Sequence, residues 1–169
     1  MTAPLFTVAG LAARPLSAED AAATRELFAS CDGSEDLTCG LPVGTADDPL
    51  VADSGADADL LIGMFDGWDT AGVIEIVRDA PSAGWWTIGL LMVETGRRGA
   101  ALGREVLDAL SEWATTRGVT GLLVGVPMGP AEAFWRAAGF TEATGAATTP
   151  SSTGGLVELR RVLGTGDRG

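Results

Sequence analysis

The 169-residue sequence contains no Lys, His, Asn, Gln or Tyr. Each absence closes a class of chemistry. Without His there is no imidazole base and no imidazole metal ligand. Without Lys there is no Schiff base and no P-loop lysine. Without Tyr there is no phenolic acid, and without Asn there is no N-glycosylation acceptor. Positive charge is scarce too. All 11 basic residues are Arg, against 23 Asp and Glu, for a net charge of −12. Such a surface repels phosphate backbones and anionic lipid, so neither nucleic acid nor membrane is an expected partner. No apolar run approaches the roughly 20 residues of a membrane span. No basic residue precedes Arg14, so the apolar start makes a poor secretion signal. Cys31 and Cys39 are too few for a disulfide framework and match no zinc spacing, which predicts a cytoplasmic chain with two free thiols and no metal site.

What remains is ample for one core, with 46% hydrophobic residues. Phe6–Ala12 reads as a first strand. Ser17, with Asp20 three residues on and Leu16 before it, starts a helix that runs to about Ser30. From Asp32 to Asp69 there are ten acidic residues and no basic one, and 32–57 reads as loop. Leu60–Phe65 and Gly72–Val77 form a hairpin pattern across Asp66–Thr70. Trp85–Val93 is a continuous apolar run, as expected of a central strand buried on both faces. Leu102, Val106, Leu110, Trp113 and Ala114 then recur at helical spacing, and Gly118 ends that helix. Gly121–Val126 is another strand. Pro130 opens a helix over 131–138, stopped by Gly139. Phe140–Ala143 and Leu156–Leu163 close the pattern, and 164–169 reads as a disordered tail after a single domain over 1–163. The order predicts an α/β layered domain, helices flanking a mixed, mostly antiparallel sheet.

The segment that carries chemistry is Arg98-Gly99-Ala100-Ala101-Leu102-Gly103-Arg104, between a buried strand and a helix. A first helical turn leaves backbone N–H groups unpaired and its dipole favours anions. Small residues let a phosphate approach those groups, and Arg98 and Arg104 add charge. The same glycines also suit a plain strand-to-helix turn. The segment resembles the acyl-CoA signature of the GNAT family of N-acetyltransferases, Arg/Gln-x-x-Gly/Ala-x-Gly/Ala, with Arg98, Ala101 and Gly103 in its defined places. Leu91-Met92-Val93 before it is similar to the family, as is Ala131–Phe140 after it, where Phe134-Trp135-Arg136 precedes a Gly-Phe turn.

That resemblance implies a sheet splayed between its fourth and fifth strands, those at Trp85–Val93 and Gly121–Val126. It implies acetyl-CoA as the acyl donor, with the pantetheine arm along Met92 and Val93, the pyrophosphate on 99–104, and Trp135 beside the cofactor. It implies direct attack of an amine on the thioester, with a backbone N–H near Met92 facing the oxyanion. The acceptor is expected to be a small cationic amine drawn by the acidic surface; family members often pair, which leaves a homodimer open, and the residues themselves do not specify an oligomeric state. A peptide or protein acceptor, and a CoA-binding module without turnover, are the alternatives. Two carboxylates are candidate bases. Glu75 lies in an apolar strand, where a solvent-facing position is the competing reading. Glu94 ends the central strand, where pairing with Arg97 competes. Trp135 stands where many members carry a Tyr that protonates the thiolate, and an indole cannot do so. Trp85 and Trp86 are read either as acceptor-pocket walls or as core.

Overall fold

The computed structural model describes residues 3–30, 59–94, 97, 101–127, 129–143 and 156–164. The segments expected as an acidic loop, 32–57, and as a tail, beyond Gly164, lie outside them. Eight strands form one sheet in the order β1-β2-β3-β4-β5-β6-β8-β7. They are β1 (Phe6–Val8), β2 (Leu11–Pro15), β3 (Asp59–Asp66), β4 (Asp69–Val77), β5 (Trp85–Val93), β6 (Gly121–Pro127), β7 (Thr141–Glu142) and β8 (Leu156–Val162). The helices are α1 (Ala21–Ser30), α2 (Leu102–Thr116) and α3 (Pro130–Ala137). All strand pairs are antiparallel except β5–β6.

The expected single strand over Phe6–Ala12 is instead two. Ala9 (φ 49°) and Gly10 (φ 83°) both turn left-handed, and a two-residue turn of that kind matches the twist of a hairpin. This turn was hidden because Ala9 carries no polar turn signal. The strands expected fourth and fifth are therefore β5 and β6. Ser17 and Asp20 do form the predicted cap, with the Ser17 N–H donating to Asp20 Oδ2 at 2.8 Å. A 3-10 turn, Ala18–Asp20, precedes α1.

Side-chain alternation divides the core. Ala13, Ile62, Met64, Ile74, Ile76, Ile88, Leu91 and Val93 face a large cluster that includes α2 and α3. The α2 helix gives it Leu102, Val106, Leu107, Leu110 and Ala114. Ser111 is buried there too and donates to the Leu107 carbonyl at 2.7 Å, which satisfies it. The opposite face carries a smaller cluster, Val73, Leu90 and Met92 under Leu27 of α1. This second cover means that β4 is buried on both faces along most of its length.

Candidate active site

The two parallel strands stay paired over only part of their length. β5 and β6 pair from Trp85–Gly121 to Ile88–Val124 and no further, although β5 runs on to Val93 and β6 to Pro127. Beyond that point each strand keeps its other neighbour. β5 follows β4 to Gly72–Val93, and β6 follows β8 to Pro127–Leu156. The sheet is thus split from Gly89 onward.

A register shift marks the same place. Glu75 of β4 pairs with Leu90, but Ile76 pairs with Ile88, so Gly89 is an extra residue in β5. Such a bulge bends its strand and raises the local twist, which is what parting β5 from β6 requires. On the other side of the gap, Gly125 turns to the face opposite Val124. A Cβ there would meet nothing within 4 Å among the described residues.

Backbone polarity along the gap follows from strand alternation. The Glu94 N–H donates to the Ala71 carbonyl at 2.9 Å, so Glu94 is turned toward β4. N–H groups alternate sides along a strand. The Met92 amide therefore also points at β4, while Leu91 and Val93 present their amides to the gap. The Met92 side chain is buried beneath α1 with Leu90.

Glu75 lies on the α1 face between its cross-strand neighbours Leu61 and Leu90. It is 9% exposed, so the solvent-facing reading does not hold. The reason is α1, which covers a face that a one-sided sheet would leave wet. Its carboxylate abuts the bulge. A Cβ on Gly89 would stand 2.9 Å from Glu75 Oε2 and 3.2 Å from its Cδ. Glu94 is instead half-exposed and accepts from Arg97 Nε at 3.0 Å, the pairing that competed with a catalytic role. The Arg97 NH2 group also reaches Asp66 at 2.9 Å. One guanidinium so ties the end of β5 to the β3–β4 turn.

At the head of α2, Ala101 holds φ 61° and ψ 9° just before the helical Leu102. A left-handed residue beside a helical one turns successive amides to one side, an arrangement suited to anions. Leu102 is buried and Arg104 is exposed. Arg98, Gly99 and Ala100 lie outside the described residues. A Cβ on Gly103 would come within 3.0 Å of the Phe134 ring, so α2 and α3 meet closely there. Trp135 is fully buried, edge-on to Phe134 at 5.6 Å and to Phe140 at 5.0 Å. It has no accessible surface to offer a ligand. Phe134, absent from the sequence-based expectations for the site, is the aromatic residue that reaches the α2 turn. The helical phase carries that signal, since Ala131, Trp135 and Ala138 form the buried stripe. Trp85 and Trp86 stand at the paired end of β5, away from the gap. Trp85 covers Gly121 and Trp86 packs on Trp113 at 5.4 Å, so both are structural.

Among the described residues no helix is long and apolar enough to cross a membrane. The family model for the GNAT acetyltransferase family matches residues 22–140. No curated protein matches the chain. Solved structures do. An acetyltransferase from Thermus thermophilus is 24% identical with a TM-score of 0.73, over 92% of this chain and 99% of that one. An acetyltransferase of the GNAT family from Staphylococcus aureus is 14% identical with a TM-score of 0.67, over 91% and 99%. The ribosomal-protein-S18-alanine N-acetyltransferase from Escherichia coli is 18% identical with a TM-score of 0.64, over 90% and 94%.

Proposed function

This chain belongs to the GNAT acetyltransferase family, and on that premise we propose that it moves an acetyl group from acetyl-CoA to an amine of a small cationic molecule. The observation that carries this reading is the coincidence of three features at one point. The β5–β6 pairing ends, the bulge at Gly89 begins, and the Glu75 carboxylate lies against it.

The chain's own groups suit an acyl-CoA. The outward amides of Leu91 and Val93 would receive the pantetheine arm as an added strand receives its neighbour. The amides over 101–104, with Arg104 and the sequence-assigned Arg98, Gly99 and Ala100, would hold the pyrophosphate. The bound donor supplies an activated acyl carbon. The Val93 N–H would stabilise negative charge developing on the thioester oxygen, because the strand holds it directed at the gap. Met92 would shape the same region through its side chain.

An alkyl amine with a pKa of about 10.4 is mostly protonated at neutral pH, and making it neutral there costs about 4–5 kcal/mol. Glu75 would accept that proton, directly or through a water, a contribution of roughly 10²–10⁴ in rate. The net charge of −12 favours a cationic acceptor by concentrating it near the protein. A second reading, transfer to a peptide N-terminus, has support from the likeness to the enzyme named for ribosomal protein S18. Thiol release from acetyl-CoA with a panel of diamines, polyamines, amino sugars and short peptides tests both. Release with the small cations and none with peptides is the expected result. The reverse pattern would install the second reading, and no release with any acceptor would overturn the enzymatic proposal.

A further inference from the structure

The backbone at position 89 does not by itself demand a glycine. Its φ lies outside the left-handed region that favours glycine, unlike Gly84 or Gly139, whose φ values are 83° and 91°. A residue with a side chain could adopt the same conformation. What excludes one is space. The position of a Cβ is crowded by Glu75, whose Oε2, Cδ and Cγ lie 2.9, 3.2 and 3.5 Å from it. Those are the three nearest heavy atoms among the described residues, and all three belong to one side chain. Real Cβ atoms essentially never stand closer than 3.0 Å to another heavy atom, so something must shift if one is added.

We propose that Gly89 is a positioning residue for Glu75: by lacking a side chain at the bulge it seats the carboxylate where β5 and β6 part. The inference rests on reading Glu75 as the proton acceptor, because only then does the seat matter for the reaction. The neighbour that must move is the far end of a flexible side chain, not backbone. An added methyl group therefore displaces the carboxylate more readily than it displaces the strand. This separates Gly89 from Gly63 and Gly121, where a Cβ would press within 2.6 Å of packed Phe65, Leu16 or Trp85 atoms.

The experiment has two arms. In the first, the side-chain carboxyl of Glu75 is titrated by carbon-13 NMR in the wild-type chain and in Gly89→Ala, assigned through Glu75→Gln. A midpoint moved by at least about half a pH unit is expected, and an unmoved one overturns the proposal. This arm needs no acceptor and is independent of the role of Glu75. In the second, acetyl transfer to the best amine of the panel is followed in a double-mutant cycle. Gly89→Ala is expected to lower kcat about tenfold when Glu75 is present and less than about twofold in Glu75→Ala, with KM for acetyl-CoA unchanged. Equal losses in both backgrounds overturn the proposal. If Gly89→Ala fails to fold, Glu75→Ala should restore folding, since it removes the colliding atoms, and failure of that rescue also overturns it. A Glu75→Gln variant with undiminished rate would instead remove the proton-acceptor reading while leaving the first arm standing.

Discussion

The ring of Phe134 closes to within 3.0 Å of the point where a Cβ of Gly103 would stand. Gly103 fills a defined place of the acyl-CoA signature, yet its tightest constraint in the structure is this contact between two helices. A larger residue there must push α2 and α3 apart or drive the ring aside. Gly103→Val should destabilise the fold by about 1–3 kcal/mol, the usual range for overpacking. Phe134→Ala in the same chain should return part of that loss. Thermal melts of the two single variants and the double variant check this, and strictly additive losses would count against it.

Glu75→Gln keeps the shape of the side chain and removes its basicity. At pH 7 the variant should turn over about 10²–10⁴-fold more slowly, an effect of the size general base catalysis supplies. The deficit should shrink as pH rises toward the pKa of the amine, because free amine then no longer needs a protein base. A pH–rate profile of both proteins measures this. A constant ratio across the profile would assign Glu75 a purely structural role.

Asp20 gives a separate, acid-sensitive prediction. Its carboxylate accepts from Arg14 at 2.8 Å twice and from the Ser17 hydroxyl at 2.9 Å. Arg14 also stacks on Phe65 at 3.8 Å. The bond from Arg14 is the chief reason that the Asp20 pKa sits at about 2, below its ordinary value of 3.8; burial opposes it and Ser17 adds to it. A pKa depressed by folding stabilises the native state above the unfolded pKa, and that share is lost as pH falls through the folded one. The amount is about 2 kcal/mol at neutral pH. Asp20→Asn should therefore melt lower at pH 7, and the gap should close as pH falls from about 4 toward about 2. Melting curves of both proteins across that range decide it, and a gap independent of pH would detach the stabilisation from the charge of Asp20.

Arg98→Glu should weaken CoA binding roughly 10–100-fold, the equivalent of one lost charge-assisted bond with an added repulsion. The melting temperature of the free protein should not move. Calorimetric titration with CoA reads the affinity directly, and an unchanged value would displace the pyrophosphate from the 98–104 segment.

The sequence was most legible where periodicity was strong. Trp85–Val93, the α2 stripe, Gly121–Val126 and the α3 start at Pro130 all stand within a residue or two of their expected bounds. Three features were hidden for physical reasons. The Ala9-Gly10 turn was masked because Ala9 is no turn residue and Gly10 stands alone between strand-like segments. The bulge at Gly89 leaves no trace in composition, since it depends on which β4 residue each β5 residue meets. The burial of Glu75 depends on α1 covering its face, a tertiary fact that strand alternation cannot report. Trp135 shows the opposite failure. The motif suggested a place beside the cofactor, whereas the phase of a helix capped at Gly129 points that ring inward. Glu94 was legible with both its options, and its contact with Arg97 is the one the fold adopts.

Four residue pairs between β5 and β6 are the whole seam joining a five-stranded half of the sheet to a three-stranded half. A molecule lying along the open remainder of that seam would be gripped from both sides and would act as its missing stitches. Such a ligand binds the native chain and not the unfolded one, adding about 2.7 kcal/mol at a hundredfold excess over its Kd. The substrate would then double as a structural brace, and the protein would be sturdier while loaded than between turnovers.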